Sequence, residues 1–121
     1  MTLPEWHIAQ RAELSDPGAI EFSVGDGDWP FRGVLVCWQG SVYAYANSCA
    51  HLGHPLNLAA DQFFTPDNSL LVCASHGAVF EPATGVCVGG PCAGASLRSL
   101  ECRVDEGSVF VRAPASARDS G

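Results

Sequence analysis

Two short clusters of cysteine and histidine carry the ligand chemistry of this sequence. The first is Cys49-Ala50-His51 and the second is Cys73-Ala74-Ser75-His76, with 21 residues between His51 and Cys73. Each supplies one thiolate and one imidazole, the donors that soft and borderline transition metals take. Two metal sites fit such a set. One is a tetrahedral zinc ion held by two cysteines and two histidines. The other is a two-iron, two-sulfide cluster with histidines in place of cysteines on one iron. The spacing favours the cluster. One intervening residue makes Cys49 and His51 cramped around a single ion, whereas two irons let the ligands of each pair part. On that geometry Cys49 and Cys73 take one iron, and His51 and His76 the other. No nucleophile–base pair and no phosphate-cradling glycine loop accompanies them. Ser75 and His76 are adjacent and point apart, so no residue is assigned a catalytic role.

The elements that must bring the two clusters together read as strands from end to end. Ile20, Phe22 and Val24 alternate with Glu21 and Ser23, the period of a half-buried strand. The apolar runs 34–38 and 42–46, separated by Gln39-Gly40-Ser41, predict a hairpin that leads through Asn47-Ser48 into the first cluster. Leu70-Leu71-Val72 delivers Cys73, and Ala78-Val79-Phe80 leaves after His76. Residues 81–85 turn the chain, 86–88 return it, and Gly89-Gly90-Pro91 closes a second bend. The second cluster therefore belongs at the tip of a hairpin in a small meander. Leu100, Cys102 and Val104 alternate with Glu101 and Arg103, and Asp105-Glu106-Gly107 turns into a last strand over 108–112. Residues 113–121 read as a frayed tail. One short helical turn is expected over 55–62. The loop 61–69 is expected to be tucked down by Phe63 and Phe64.

Length and composition bound the remaining choices. The chain has 121 residues, 47% hydrophobic and 16% charged, which suits one globular domain. The formal net charge is -7, from 13 acidic and 6 basic residues, all arginine. Such a surface disfavours nucleic acid and anionic membranes and suits docking to a basic protein. No charged-then-apolar leader and no apolar run of about 20 residues appears, so a cytoplasmic monomer with reduced thiols is expected. Cys37 and Cys102 read as core thiols. Cys87 and Cys92 flank the glycine bend as buried thiols, although the sequence leaves open whether they are bridged. Trp6, Trp29 and Trp38 read as packing residues and His7 and His54 as ordinary surface histidines. Asp26, Asp28, Asp61, Asp67, Asp105 and Glu106 read as solvated turn charges.

The stretch 49–56, Cys-Ala-His-Leu-Gly-His-Pro-Leu, is followed by 73–80, Cys-Ala-Ser-His-Gly-Ala-Val-Phe, then by Thr84-Gly85 and Gly90-Pro91. This pattern resembles Rieske-type iron–sulfur proteins, in particular soluble oxygenase ferredoxins. The resemblance covers residues 49–92 directly. It implies an all-β Rieske fold, an antiparallel base with an inserted cluster-binding subdomain. It sets a single domain at 1–112, with the cluster-binding part at 48–92 and a tail at 113–121. It implies one [2Fe-2S] cluster on Cys49, His51, Cys73 and His76, covered on a third side by the Gly90-Pro91 bend. The implied role is one-electron transfer from a flavin-dependent reductase to a terminal, aromatic ring-hydroxylating oxygenase, with no catalysis by the chain itself. The sequence departs from the quinol-oxidising relatives in three ways. His54 and Ser75 stand where those carry bridged cysteines, no membrane anchor is seen, and Ala78 and Phe80 stand where those carry a serine and a tyrosine. The span around 61–69 is also longer than usual for the family. Two other readings compete. One is a Rieske-like accessory subunit of an enzyme such as nitrite reductase, many of which lack ligands that this chain keeps. The other is a zinc-stabilised interaction module.

Overall fold

The computed structural model describes residues 3–25, 30–48, 63–73, 77–90 and 94–114. Its strands are β1 (Glu5–Gln10), β2 (Gly18–Val24), β3 (Phe31–Trp38), β4 (Ser41–Ala46), β5 (Leu71–Val72), β6 (Val79–Phe80), β7 (Cys87–Gly89), β8 (Ser99–Leu100), β9 (Cys102–Asp105) and β10 (Ser108–Arg112). Among the described residues the one helical piece is a 3-10 turn, Arg11–Glu13. The expected helical turn over 55–62 lies outside the described residues.

Among the described residues three antiparallel sheets are formed, ordered β1-β10-β9, β2-β3-β4-β8 and β5-β6-β7. The four-stranded sheet lies in the middle, and β3 shows why. Val34, Leu35, Val36 and Cys37 are all buried, an uninterrupted apolar run rather than an alternation. Successive side chains of a strand point to opposite faces. Val34 and Val36 enter one core with Leu71, Phe80 and Leu97, while Leu35 enters the other with Val109 and Val111. A strand covered on both faces needs no polar side. Each such aliphatic side chain contributes about 1.5–3 kcal/mol by leaving water.

The β3–β4 hairpin is tighter than the sequence suggests. Ser41 pairs with Trp38 inside the ladder, leaving only Gln39 and Gly40 in the turn. Their φ values, 49° and 85°, are both positive, as the two-residue hairpin turn matched to strand twist requires. Asp16 closes this turn from outside. Its carboxylate accepts the Gln39 N–H at 3.0 Å and the Gly40 N–H at 2.7 Å, and Arg11 approaches it at 3.4 Å. Asp16→Ala is expected to cost about 1 kcal/mol in chemical denaturation, because both donors lose a charged acceptor.

The expected single alternation through Leu100, Cys102 and Val104 is divided between two sheets. Ser99 and Leu100 pair with β4, whereas residues 102–105 pair with β10. The chain changes sheets at Glu101, whose carbonyl accepts the Arg112 N–H at 2.9 Å. Leu100 is buried, but Val104, on the outer strand, is 48% exposed. The expected frayed tail does not hold for its first two residues. Ala113 and Pro114 are buried. The Ala113 N–H donates to Pro4 O, and its carbonyl accepts the Trp6 indole N–H at 2.9 Å. A half-buried indole needs an acceptor, and the chain end supplies it.

Phe63 and Phe64 hold their loop down as expected. Phe63 is fully buried and its carbonyl accepts the Val72 N–H at 2.8 Å. Phe64 bridges to Leu71 and stacks on Trp38, centroids 6.1 Å apart. Asp67 is more than a solvated charge. Its Oδ1 accepts from Thr65 Oγ1 at 2.6 Å, from Ser69 Oγ at 2.7 Å and from the Ser69 N–H at 3.1 Å. These bonds, the Thr65 hydroxyl foremost, hold the carboxyl below its ordinary value of 3.8. A depressed folded value adds stability that is present above pH 3.8 and lost as pH falls through the lower folded value. Acid should therefore loosen residues 65–69 in amide exchange, and Asp67→Asn should remove that acid dependence.

Candidate metal centre

Cys73 is the first residue after β5, at the mouth of the β5–β6 hairpin. Leu71 pairs with Phe80 and Val72 with Val79, which sets Cys73 opposite Ala78. The Cys73 N–H donates to Ala78 O, and the Gly77 N–H donates to Cys73 O, both at 2.8 Å. Both main-chain groups are thus committed, and only the side chain remains for chemistry. That side chain is buried beside Phe63, Leu71, Ala78, Phe80 and Cys87, and its thiol is in no disulfide. A buried thiol whose described neighbours are apolar suits a soft metal ligand.

The glycine bend leans on this same tip. Gly90 has φ 92°, and a Cβ there would lie 2.7 Å from Ala78 Cα and 3.3 Å from Gly77 O. Only a residue without a side chain lets the two backbones approach so closely. Gly90 thus abuts the hairpin that carries Cys73; Pro91 and Cys92 lie outside the described residues, and with them the expected cover over the cluster and the question of a Cys87–Cys92 bridge. The Cys87 thiol donates to Gly89 O at 3.1 Å. Gly90→Ala combines a left-handed backbone with a main-chain clash and should cost about 3 kcal/mol in thermal or denaturant unfolding.

Tyr45 ties the central sheet to the turn before β7. Its hydroxyl donates to Pro82 O at 2.7 Å, and its ring lies where a Cβ on Gly85 would be, 2.8 Å from Cε1. Burial raises the Tyr45 hydroxyl far above its ordinary range, so it stays a donor at any physiological pH. Cys37 is a core thiol as expected, whereas Cys102 is only partly buried against the second core, its thiol donating to Val42 O at 3.4 Å; burial raises both.

The described residues place Cys73 alone of the four expected ligands; Cys49, His51 and His76, like His54, lie outside them. Elsewhere among the described residues no three of His, Cys, Asp or Glu gather into a rival metal site. The entry to the first cluster holds a feature that sequence reasoning passed over. Asn47 is buried, its side chain donates to Glu21 Oε2 at 2.6 Å, and Glu21 is ion-paired with Arg32. The available signal was an amide residue two positions before a candidate ligand, at the end of an apolar strand.

Among the described residues the architecture is all-β, three antiparallel sheets with a buried cysteine directly after β5 in the smallest of them. The model of the Rieske [2Fe-2S] domain matches residues 5–108, and the chain belongs to that family. Its members carry one [2Fe-2S] cluster. Among solved structures, the chain is similar to the ferredoxin of carbazole 1,9a-dioxygenase from Nocardioides aromaticivorans IC177, at 24% identity. The match covers 91% of this chain and 97% of that one, with a TM-score of 0.67. It is similar to a chain in a complex of reduced oxygenase and oxidized ferredoxin of carbazole 1,9a-dioxygenase, at 22% identity over 91% and 94%, TM-score 0.68. It also resembles part of the terminal oxygenase of carbazole 1,9a-dioxygenase from Novosphingobium sp. KA1. There the identity is 20% and the TM-score 0.70, over 93% of this chain but only 31% of that one. Comparison with curated protein sequences gave no match.

Proposed function

We propose that this protein is a one-electron carrier, taking electrons from a flavin-dependent reductase and passing them to a terminal, ring-hydroxylating oxygenase. The observation that carries this reading is mutual coverage. The chain matches 97% of a stand-alone ferredoxin but only 31% of an oxygenase chain that contains a similar domain. In this reading Cys49 and Cys73 hold one iron and His51 and His76 the other, with the cluster-binding part at 48–92. The bound cluster supplies the one-electron couple. The chain contributes the β5–β6 hairpin that carries Cys73, the apolar shell around it and the Gly90 bend, which in this reading position the ligands and keep water away. No residue acts as a catalyst. The protein works as a cytoplasmic monomer, and its net charge of -7 favours partners with basic docking faces.

Two measurements test this. Electron paramagnetic resonance of the dithionite-reduced protein should give the low mean g-value of a cluster with nitrogen ligands; the value of all-cysteine ferredoxins would remove the histidines. Reconstitution with a flavin reductase and a ring-hydroxylating oxygenase should make product formation depend on this protein and on low ionic strength. Reduction by the reductase without onward transfer to any such oxygenase would overturn the assignment.

A further inference from the structure

Asn47 is the buried polar residue of the described chain, and it stands two positions before Cys49. Its side-chain N–H donates to Glu21 Oε2 at 2.6 Å and its backbone N–H to Arg32 O at 3.1 Å. Glu21 and Arg32 are themselves ion-paired. In the β2–β3 register Glu21 stands opposite Val34 and Arg32 opposite Ser23, so the pair is diagonal on one face of the sheet. Asn47 is therefore held twice, its side chain by the Glu21 carboxylate that Arg32 pairs with, and its main chain by the Arg32 backbone carbonyl. Burying polar groups is costly, and an apolar residue at 47 would serve packing at lower cost. What the double grip adds is direction. It fixes where and at what angle the chain leaves β4, and the Ser48 N–H turns back onto Ala46 O at 2.9 Å immediately afterwards.

We propose that Glu21, Arg32 and Asn47 form a positioning clamp for the first ligand loop, setting the direction in which Cys49 enters the metal centre. This rests on the reading of Cys49 as a ligand. The three act as positioning residues, through the main chain of Ser48, which alone separates Asn47 from Cys49. Outer partners that orient metal ligands are typically worth about 10–100-fold in metal affinity.

The test compares cluster-loaded variants by iron release to a chelator, by the line shape of the reduced protein in electron paramagnetic resonance, and by melting with and without cluster. Asn47→Ala should hold iron about 10–100-fold less tightly and alter the line shape. Asp16→Ala, at the opposite end of the β3–β4 hairpin, is the stability control and should change neither. Asn47→Asp alone sets two carboxylates together and should also fail. Paired with Glu21→Gln it exchanges donor and acceptor and should recover much of the retention. Should Asn47→Ala not fold, Glu21→Gln makes the same comparison with a smaller, several-fold loss. Iron retention and line shape in Asn47→Ala equal to those of Asp16→Ala would overturn the clamp. Cys49→Ala separates the two ideas. If it keeps the native spectrum, the ligand reading fails and the clamp with it. If it loses the spectrum while Asn47→Ala keeps it, the clamp alone fails.

Discussion

Cys73→Ala should yield a folded but colourless protein that retains no iron. The substitution is small and lies at a position whose backbone is held without the side chain, by the Ala78 carbonyl and the Gly77 N–H. Its direct cost should be near that of trimming one buried group, about 1 kcal/mol, read from the cluster-free proteins. The loaded proteins should differ far more. A group that binds only the folded chain adds its binding free energy to stability, and that contribution disappears with the ligand. The gap in melting temperature between wild type and variant should therefore be much wider with iron and sulfide supplied than without. Two measurements decide the matter: bound iron per chain, and visible absorption, in which a Rieske cluster is red-brown. A variant that kept that colour would show that Cys73 is a core thiol like Cys37 and does not hold the metal.

Much of the fold is legible where side-chain pattern and local turn chemistry agree. Ile20, Phe22 and Val24 alternate because β2 has one well-covered face, and Gln39-Gly40 allows a positive-φ turn between two apolar runs. The family was legible because the Cys/His pairs demand two loops at set spacing. Legibility failed where long-range contacts decide. Nothing local in residues 100–104 announces that the chain changes sheets at Glu101, so Val104 carries a core-like pattern and faces solvent. Nothing in Ala113-Pro114 shows that the distant Trp6 indole donates to it. Asp67 reads as a turn charge and Asp16 draws no reading at all, but each is an acceptor that organises several donors. At the centre, the identity of Cys73 was legible from its neighbours in sequence, whereas its depth of burial depends on Phe63, Phe80 and Leu97 arriving from three other segments. Asn47 was passed over because its meaning lies in Glu21 and Arg32, which are remote in sequence.

Ala78 and Phe80 should hold the midpoint potential near the low end of the Rieske range, roughly -150 mV. Donors to cluster or ligand sulfur stabilise the reduced, more negative state, so their absence lowers the potential. Among the described residues, the shell around Cys73 is apolar at both positions. Ala78 and Phe80 are both fully buried, and the hydroxyl of Tyr45 in the same core is committed to Pro82 O. Ala78→Ser adds one oxygen where the alanine methyl already stands, without moving the backbone that Gly90 abuts. A buried hydroxyl with apolar neighbours seeks whatever acceptor is within reach, and sulfur is the one the site would offer. If the new bond favours the reduced state by about 1.4 kcal/mol, the potential rises by about 59 mV, the value for a one-electron couple. Phe80→Tyr should act in the same direction, and the double variant should rise further than either. Redox titration checks all of these together with the wild type. A wild-type midpoint well above zero would mean that sulfur already has donors from elsewhere in the chain. Variants that lose stability without gaining potential would place both side chains away from the cluster, in the hydrophobic core alone.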